Sequence, residues 1–148
     1  MTVLEALHEY LDAADVSEET IQAVAAISSK REFLAGDIVF REAEASDHLY
    51  IVTDGQVDVQ YLLSSGKRQT VDTLYRGDFL VWSAVVKPHT TFSIGICRTK
   101  TEVVAVNGEK LRELCEKDTL FGFRLMSQMA RVIRRRLQAA RLQIADLG

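Results

Sequence analysis

The chain has 148 residues, of which 47% are hydrophobic and 26% charged, and its net charge is −3. This length suits a single domain, residues 1–148, whose core needs no disulfide or metal support. The negative charge disfavours direct nucleic-acid binding. There is no secretory signal pattern, and no apolar run approaches the roughly 18 residues that cross a bilayer. We therefore expect a cytoplasmic protein without membrane contacts.

The N-terminal zone, residues 1–28, is predicted to be helical. Thr2 and Glu5 have the spacing of a capping box, in which each side chain binds a free backbone N–H. Leu7 and Leu11 then lie on one helical face. Ser17 is followed by two glutamates, which is typical of a second helix start.

The middle zone, residues 31–106, has the pattern of short β-strands. Glycines recur between runs rich in β-branched and aromatic residues, which favours a sandwich or barrel. Asp54-Gly55 is typical of a two-residue type I′ turn, so we predict a hairpin there. Gly66, after two serines, marks a second predicted turn.

The C-terminal zone, residues 107–148, is predicted to hold a hinge helix, N-capped by Asn107, and a long helix from about Asp118. Alternate spacings of four and three define a heptad seam of seven apolar residues: Met126, Ala130, Ile133, Leu137, Ala140, Ile144 and Leu147. Such a seam indicates a homodimer paired through this helix. In the alternative, the helix packs only on its own domain, which suits the first turns, where Phe121, Phe123 and Leu125 widen the apolar face.

Catalytic and metal-binding patterns are absent from the sequence. Cys97 and Cys115 form no CxxC pair and are predicted to be reduced thiols in apolar surroundings. His8, His48 and His89 lie far apart and lack metal-ligand spacing. With no nucleophile beside a paired base, we expect no metal, no catalytic residue and no enzymatic activity.

The ordered zones resemble the cyclic nucleotide-binding domain, the sensory module of catabolite activator proteins, kinase regulatory subunits and gated channels. The opening hairpins of that family resemble residues 33–59, FLAGDIVFREAEASDHLYIVTDGQVDV. Residues 75–79, YRGDF, resemble the start of its phosphate-binding cassette. Residues 101–118 resemble its final strand and hinge helix. Its dimerising helix resembles residues 124–137, RLMSQMARVIRRRL. The resemblance implies a mainly β double-stranded β-helix, a jelly-roll-like β-roll, with N-terminal helices and a long C-terminal dimerisation helix.

The resemblance also implies a cassette at residues 77–93. In the family, a glycine and a short helix bring backbone N–H groups to the cyclic phosphate, a glutamate holds the ribose, and an arginine neutralises the phosphate. Gly77 matches, and Asp78 stands at the glutamate position. A short helix is expected over residues 81–86. Thr91 replaces the arginine, so Lys87 and His89 are the nearest cations.

Ten residues are the candidate ligand contacts: Gly77, Asp78, Phe79, Val81, Trp82, Ser83, His89, Thr90, Thr91 and Arg136. Cyclic AMP and cyclic GMP are the ligands that the resemblance implies. Phe79, Trp82 and Phe92 either line a site for a less charged ligand or simply pack the roll. Arg136 either reaches the ligand from the long helix or belongs to a solvated arginine face.

Three functions remain to be compared. The first is a sensor that binds a small molecule, such as a cyclic nucleotide, in the cassette and signals through the C-terminal helix. The second is a degenerate domain that binds no nucleotide and acts as a dimerisation or docking scaffold, which the missing arginine favours. The third, an enzyme, has the least support. Transcription factors of the family bind DNA through a helix-turn-helix after the long helix, and the sequence ends at Gly148 without one.

Overall fold

The computed structural model describes residues 1–11, 14–91 and 93–147. In these residues, two helices precede eight strands and two helices follow them. The helices are α1 (Val3–Tyr10), α2 (Glu18–Ala26), α3 (Gly108–Lys117) and α4 (Thr119–Leu147). The strands are β1 (Ser28–Phe33), β2 (Ile38–Phe40), β3 (His48–Asp54), β4 (Val57–Leu62), β5 (Arg68–Leu74), β6 (Phe79–Leu80), β7 (Ile94–Cys97) and β8 (Thr101–Asn107). The predicted mainly β roll with flanking helices is confirmed.

The predicted helix starts are observed. The hydroxyl of Thr2 accepts a hydrogen bond from the Glu5 N–H at 3.1 Å, and the hydroxyl of Ser17 accepts one from Thr20 at 3.2 Å. The carboxamide oxygen of Asn107 accepts one from the Lys110 N–H at 3.0 Å. Each cap satisfies a backbone donor that has no partner within its helix.

The strands begin earlier than predicted. β1 starts at Ser28, where the sequence indicated helix to residue 28 and strands from residue 31. The segment SSKREF is too polar to carry a strand pattern of its own. It is held instead by antiparallel pairing with β8, in which Ser28 lies opposite Val106 and Phe33 opposite Thr101.

The strands form two four-stranded antiparallel sheets. The first has the order β1-β8-β3-β6 and the second the order β2-β7-β4-β5. In the second sheet, β4 and β5 form a hairpin across the turn that the serines and Gly66 predict. Gly66 has a positive φ of 84° and lies in open space.

The predicted hairpin at Asp54-Gly55 is wrong. β3 belongs to the first sheet and β4 to the second, so this dipeptide turns the chain from one sheet to the other. Gly55 alone of the two has a positive φ, 90°, whereas a type I′ turn needs two such residues. A Cβ on Gly55 would lie 2.4 Å from the carbonyl oxygen of Lys100, so the corner requires glycine for space as well as for conformation.

Helix α4 buries only one face of its first half. Phe121, Leu125, Met129 and Val132 pack into the core formed with the first sheet and α1. The heptad seam is largely exposed, from Ile133 at 45% to Leu147 at 89%. Phe123, predicted to pack on the same domain, is 71% exposed because it lies two residues from Phe121 on another side of the helix. Among the described residues, no helix is both long and apolar enough to cross a membrane.

Both cysteines are free thiols in the structure. Cys97 is buried in the core, and burial raises the pKa of its thiol. Cys115 is half-buried, and burial, with the nearby Asp118 and Glu116 carboxylates, raises the pKa of its thiol to about 11. Both groups are therefore protonated and unreactive at neutral pH.

Candidate ligand-binding site

The cassette opens on a tight turn at residues 75–78. The Asp78 carboxylate accepts a hydrogen bond from the Tyr75 N–H at 2.7 Å, and the Asp78 N–H donates to the Tyr75 carbonyl at 2.9 Å. Gly77 has a positive φ of 89°, and its N–H donates to the Val52 carbonyl at 2.7 Å. The turn is thus fixed to β3, with the Asp78 side chain turned back onto its own backbone.

A single 3₁₀ turn, Trp82–Ala84, follows β6 where the sequence predicted a helix over residues 81–86. Val81 precedes it with φ +64°, a conformation that β-branched residues rarely adopt. The carbonyl of Ser83 accepts from Nδ1 of His89 at 2.5 Å, and that of Ala84 accepts from Arg112 of α3. Side chains therefore take the carbonyls that would continue a helix, and the turn stays short.

An open cavity of about 670 Å³ lies between the cassette, the second sheet and α4. Six of the ten predicted ligand contacts line it: Val81, Trp82, Ser83, Thr90, Thr91 and Arg136. The cavity is not lined by the other four, which are Gly77, Asp78, Phe79 and His89. Phe79 is 1% exposed and packs into the core between the sheet and the helices, and His89 braces the 3₁₀ turn. Phe92 lies outside the described residues.

Arg136 of α4 is held between two carboxylates. Its Nη2 lies 2.6 Å from Oδ2 of Asp78, and its Nη1 contacts Oδ2 of Asp72 on β5. We call these three side chains the Arg136 clamp. Burial opposes the charge of Arg136, but the hydrogen bonds and charges of Asp78 and Asp72 outweigh it and raise its pKa. The clamp fastens the long helix to the cassette and to the second sheet.

The clamp excludes one of the two sequence interpretations of Arg136. The side chain is only 24% exposed, so it does not belong to a solvated arginine face. It lines the cavity, but both of its terminal nitrogens are already paired with carboxylates. Asp78, at the position of the family's glutamate, is likewise engaged by Arg136 and by the Tyr75 N–H.

Thr91, which the resemblance places at the position of the family's arginine, is engaged within the protein. Its hydroxyl donates to the backbone carbonyl of Arg41, and its own carbonyl accepts from the Ala43 N–H at 2.8 Å. Its side chain is therefore a local brace between the cassette and the segment after β2. Lys87, which was predicted with His89 to be the nearest cation, is exposed and lines the cavity.

Sequence reasoning missed the opposite walls of the cavity. These are Phe40, Val59, Tyr61, Val71, Asp72 and Leu74 from the strands, and Ile133, Leu137 and Ala140 from α4. One signal was available: Asp72 interrupts a run of β-branched residues in a predicted strand, and an acid there needs a partner. The helix residues had been assigned to the heptad seam alone.

No group of three or more potential metal ligands occurs among the described residues. His48, the histidine of the strand zone, contacts the Arg31 guanidinium at 3.3 Å. Burial and the Arg31 charge lower the pKa of His48, with Asp47 acting against them.

Comparison with known proteins agrees with this architecture. A structure from Geobacter metallireducens GS-15, assigned as a cyclic nucleotide-binding protein, is 28% identical with a TM-score of 0.81, over 93% of this chain and 99% of that one. A cyclic nucleotide-binding domain from Methylobacillus flagellatus KT has a TM-score of 0.85 at 12% identity, over 99% and 86%. The catabolite activator protein of Thermus thermophilus has a TM-score of 0.69 at 20% identity, over 89% of this chain and 60% of its own.

No functionally curated protein matches the sequence significantly. The family model described as the cyclic nucleotide-binding domain matches residues 30–118, which include all eight strands except the first two residues of β1. The chain therefore belongs to the cyclic nucleotide-binding domain family.

Proposed function

We propose that this protein is a non-catalytic cytoplasmic sensor that binds a small molecule in the cavity and signals through α4. One observation carries the proposal: Ile133, Leu137 and Ala140 line the cavity and also belong to the heptad seam. A molecule in the cavity therefore contacts the surface of α4 through which a second copy would pair. Binding that differs between two positions of α4 shifts the balance between them.

The Arg136 clamp supplies the mechanical link in this proposal. It joins α4 to the cassette at Asp78 and to the second sheet at Asp72. The cassette also contacts α3 through Arg112 and the Ala84 carbonyl. A ligand that moves the cassette therefore acts on both C-terminal helices through hydrogen-bonded groups.

The partner that we propose for α4 is a second copy of this chain. Beyond Val132 the helix is exposed on all sides apart from the half-buried Arg136, yet apolar residues recur at the coiled-coil spacing of the heptad seam. Pairing two such helices buries these residues, which is the arrangement that the spacing favours.

Sedimentation velocity tests the dimer. The wild-type protein is expected to show a concentration-dependent dimer, and Ile144→Asp with Leu147→Asp is expected to shift it to monomer. Leu142→Asp is the control for an added acid in this part of the helix, because Leu142 lies outside the seam and its exposure, 67%, is close to the 70% of Ile144. A wild-type protein that stays monomeric at about 100 μM, where micromolar pairing would be complete, contradicts the dimer.

Thermal unfolding with a panel of small molecules tests ligand binding. The panel includes cyclic AMP, cyclic GMP and uncharged aromatic compounds. A ligand at about 100 times its dissociation constant adds about 2.7 kcal/mol, which raises the unfolding temperature by several degrees. Ala140→Trp fills one wall of the cavity and is expected to abolish the shift. Arg141→Trp, which adds the same ring beside the cavity lining, is expected to leave it intact.

The alternative function is a docking or dimerisation scaffold that binds no ligand. The engagement of Thr91 with the Arg41 carbonyl favours it, because the family's phosphate contact is then absent. If no compound of the panel raises the unfolding temperature and the dimer is stable, this alternative is established and the sensor is excluded.

A further inference from the structure

The chemistry of the cavity differs from that of a cyclic phosphate site. Its charged lining residues in the described part of the chain are Asp72, Arg136 and Lys87. Lys87 is exposed, so water and salt screen its charge. The half-buried charge that a ligand meets is therefore that of the Arg136 clamp.

The clamp presents no free positive charge to an anion. The guanidinium binds the carboxylates of Asp78 and Asp72, so the three groups sum to one negative charge. A ligand phosphate would add another negative charge beside two partly exposed carboxylates, which repel it. It could take the guanidinium only by displacing a carboxylate and leaving that carboxylate unpaired.

One donor of the clamp is unused. The Nε–H of Arg136 is buried and has no hydrogen-bond partner among the described residues. A buried N–H without an acceptor is costly. Because this nitrogen is buried and both terminal nitrogens are paired with carboxylates, the guanidinium offers no free donor to a group in the cavity.

Two polar side chains of the cassette that line the cavity, Ser83 and Thr91, are engaged within the protein. The Ser83 hydroxyl lies 2.5 Å from that of Ser46, and the Thr91 hydroxyl donates to the Arg41 carbonyl. The walls are otherwise mainly apolar, with Trp82 on the cassette and Leu137 on α4. A cavity of this size and lining is typical of sites for largely apolar small molecules.

We propose that the ligand is an uncharged, largely apolar small molecule and that cyclic phosphates are excluded. The inference rests on the proposed sensor function, since it names the class of molecule for the same cavity. The two carboxylates of the clamp determine this selectivity, so removing one of them is expected to weaken it.

Three probes that share one ring system test the proposal. They are 2-dimethylaminonaphthalene, its 6-propionyl ketone and its 6-carboxylate, measured beside cyclic AMP. Trp82 is the single tryptophan of the chain and lines the cavity, so energy transfer from it to the naphthalene reports binding there. Cyclic AMP is measured by competition against a bound probe and by thermal unfolding.

The uncharged ketone is expected to bind about tenfold more tightly than the carboxylate. Asp72→Asn is expected to raise the affinity for the carboxylate relative to that for the ketone about fivefold. Glu109→Gln, at an exposed acid on α3, is the control for total charge and is expected to change neither.

The possible failures are distinct. If the carboxylate or cyclic AMP binds the wild-type protein as tightly as the ketone, the cavity is a ligand site but the inferred ligand class is wrong. If neither the naphthalenes nor cyclic AMP bind, both the ligand class and the sensor function are overturned.

Discussion

Gly55→Ala is expected to destabilise the protein by about 3 kcal/mol, the sum of a conformational and a steric cost. A left-handed conformation costs a residue with a Cβ about 1–2 kcal/mol. The Cβ would also lie 2.4 Å from the Lys100 carbonyl and 2.7 Å from the Thr101 Cα. Because these are backbone atoms, the chain must shift, which costs a further ~1–3 kcal/mol. Urea unfolding followed by circular dichroism measures the loss.

Gly66→Ala separates the two costs. Gly66 has nearly the same φ, 84°, but no atom lies within 4 Å of its added Cβ. We therefore expect only the conformational cost, about 1 kcal/mol. Equal losses in the two variants would show that the corner at Gly55 relaxes freely and that the contact with Lys100 does not determine the fold there.

Arg136→Met is expected to destabilise the protein by about 2 kcal/mol and to loosen the second half of α4. The change keeps the apolar stem of the side chain but removes the guanidinium, which leaves Asp72 and Asp78 without their partner and repelling each other. Breaking a fully buried ion pair costs about 3–5 kcal/mol, and partial exposure of these carboxylates lowers the figure. Urea unfolding measures the stability, and amide hydrogen exchange after Val132 measures the opening of the helix.

Two variants control for this result. Arg134→Met removes an exposed arginine two residues away and is expected to change stability by less than about 0.5 kcal/mol. Adding Asp72→Asn and Asp78→Asn to Arg136→Met removes the unpaired charges and is expected to recover about half of the loss. If Arg136→Met alone is as stable as the wild type, the clamp does not hold the helix.

The sequence predicted the order of elements well because its signals there are local. Thr2, Ser17 and Asn107 cap the helices that they were expected to cap, and Gly66 turns a hairpin. A cap or tight turn is determined within four residues, so its pattern can be read directly from the sequence.

The failures occur where distant strands decide the outcome. Asp54-Gly55 has the composition of a hairpin, but the neighbours of β3 are β8 and β6, which follow much later in the chain. Likewise SSKREF becomes a strand only because β8 pairs with it. No local pattern carries that information.

The cavity was predicted on the cassette side and, on α4, at Arg136 alone. Trp82, Ser83 and Thr91 were found because the resemblance points to them, and Arg136 was found as one of its two interpretations. Asp72 was missed because its relation to Arg136 depends on where α4 crosses the second sheet. The binding roles of these residues stay predictions until ligands are measured.

The strand order has a consequence for how the chain acquires its structure. β8 lies between β1 and β3, so neither can complete its place in the first sheet before residue 107 has been synthesised. In contrast, the β4–β5 hairpin can close as soon as residue 74 is available. Folding dominated by such distant pairings is slow, and unpaired edges stay exposed meanwhile. A ribosome-bound chain is therefore expected to remain largely unstructured until β8 emerges, and then to form the roll in one late step.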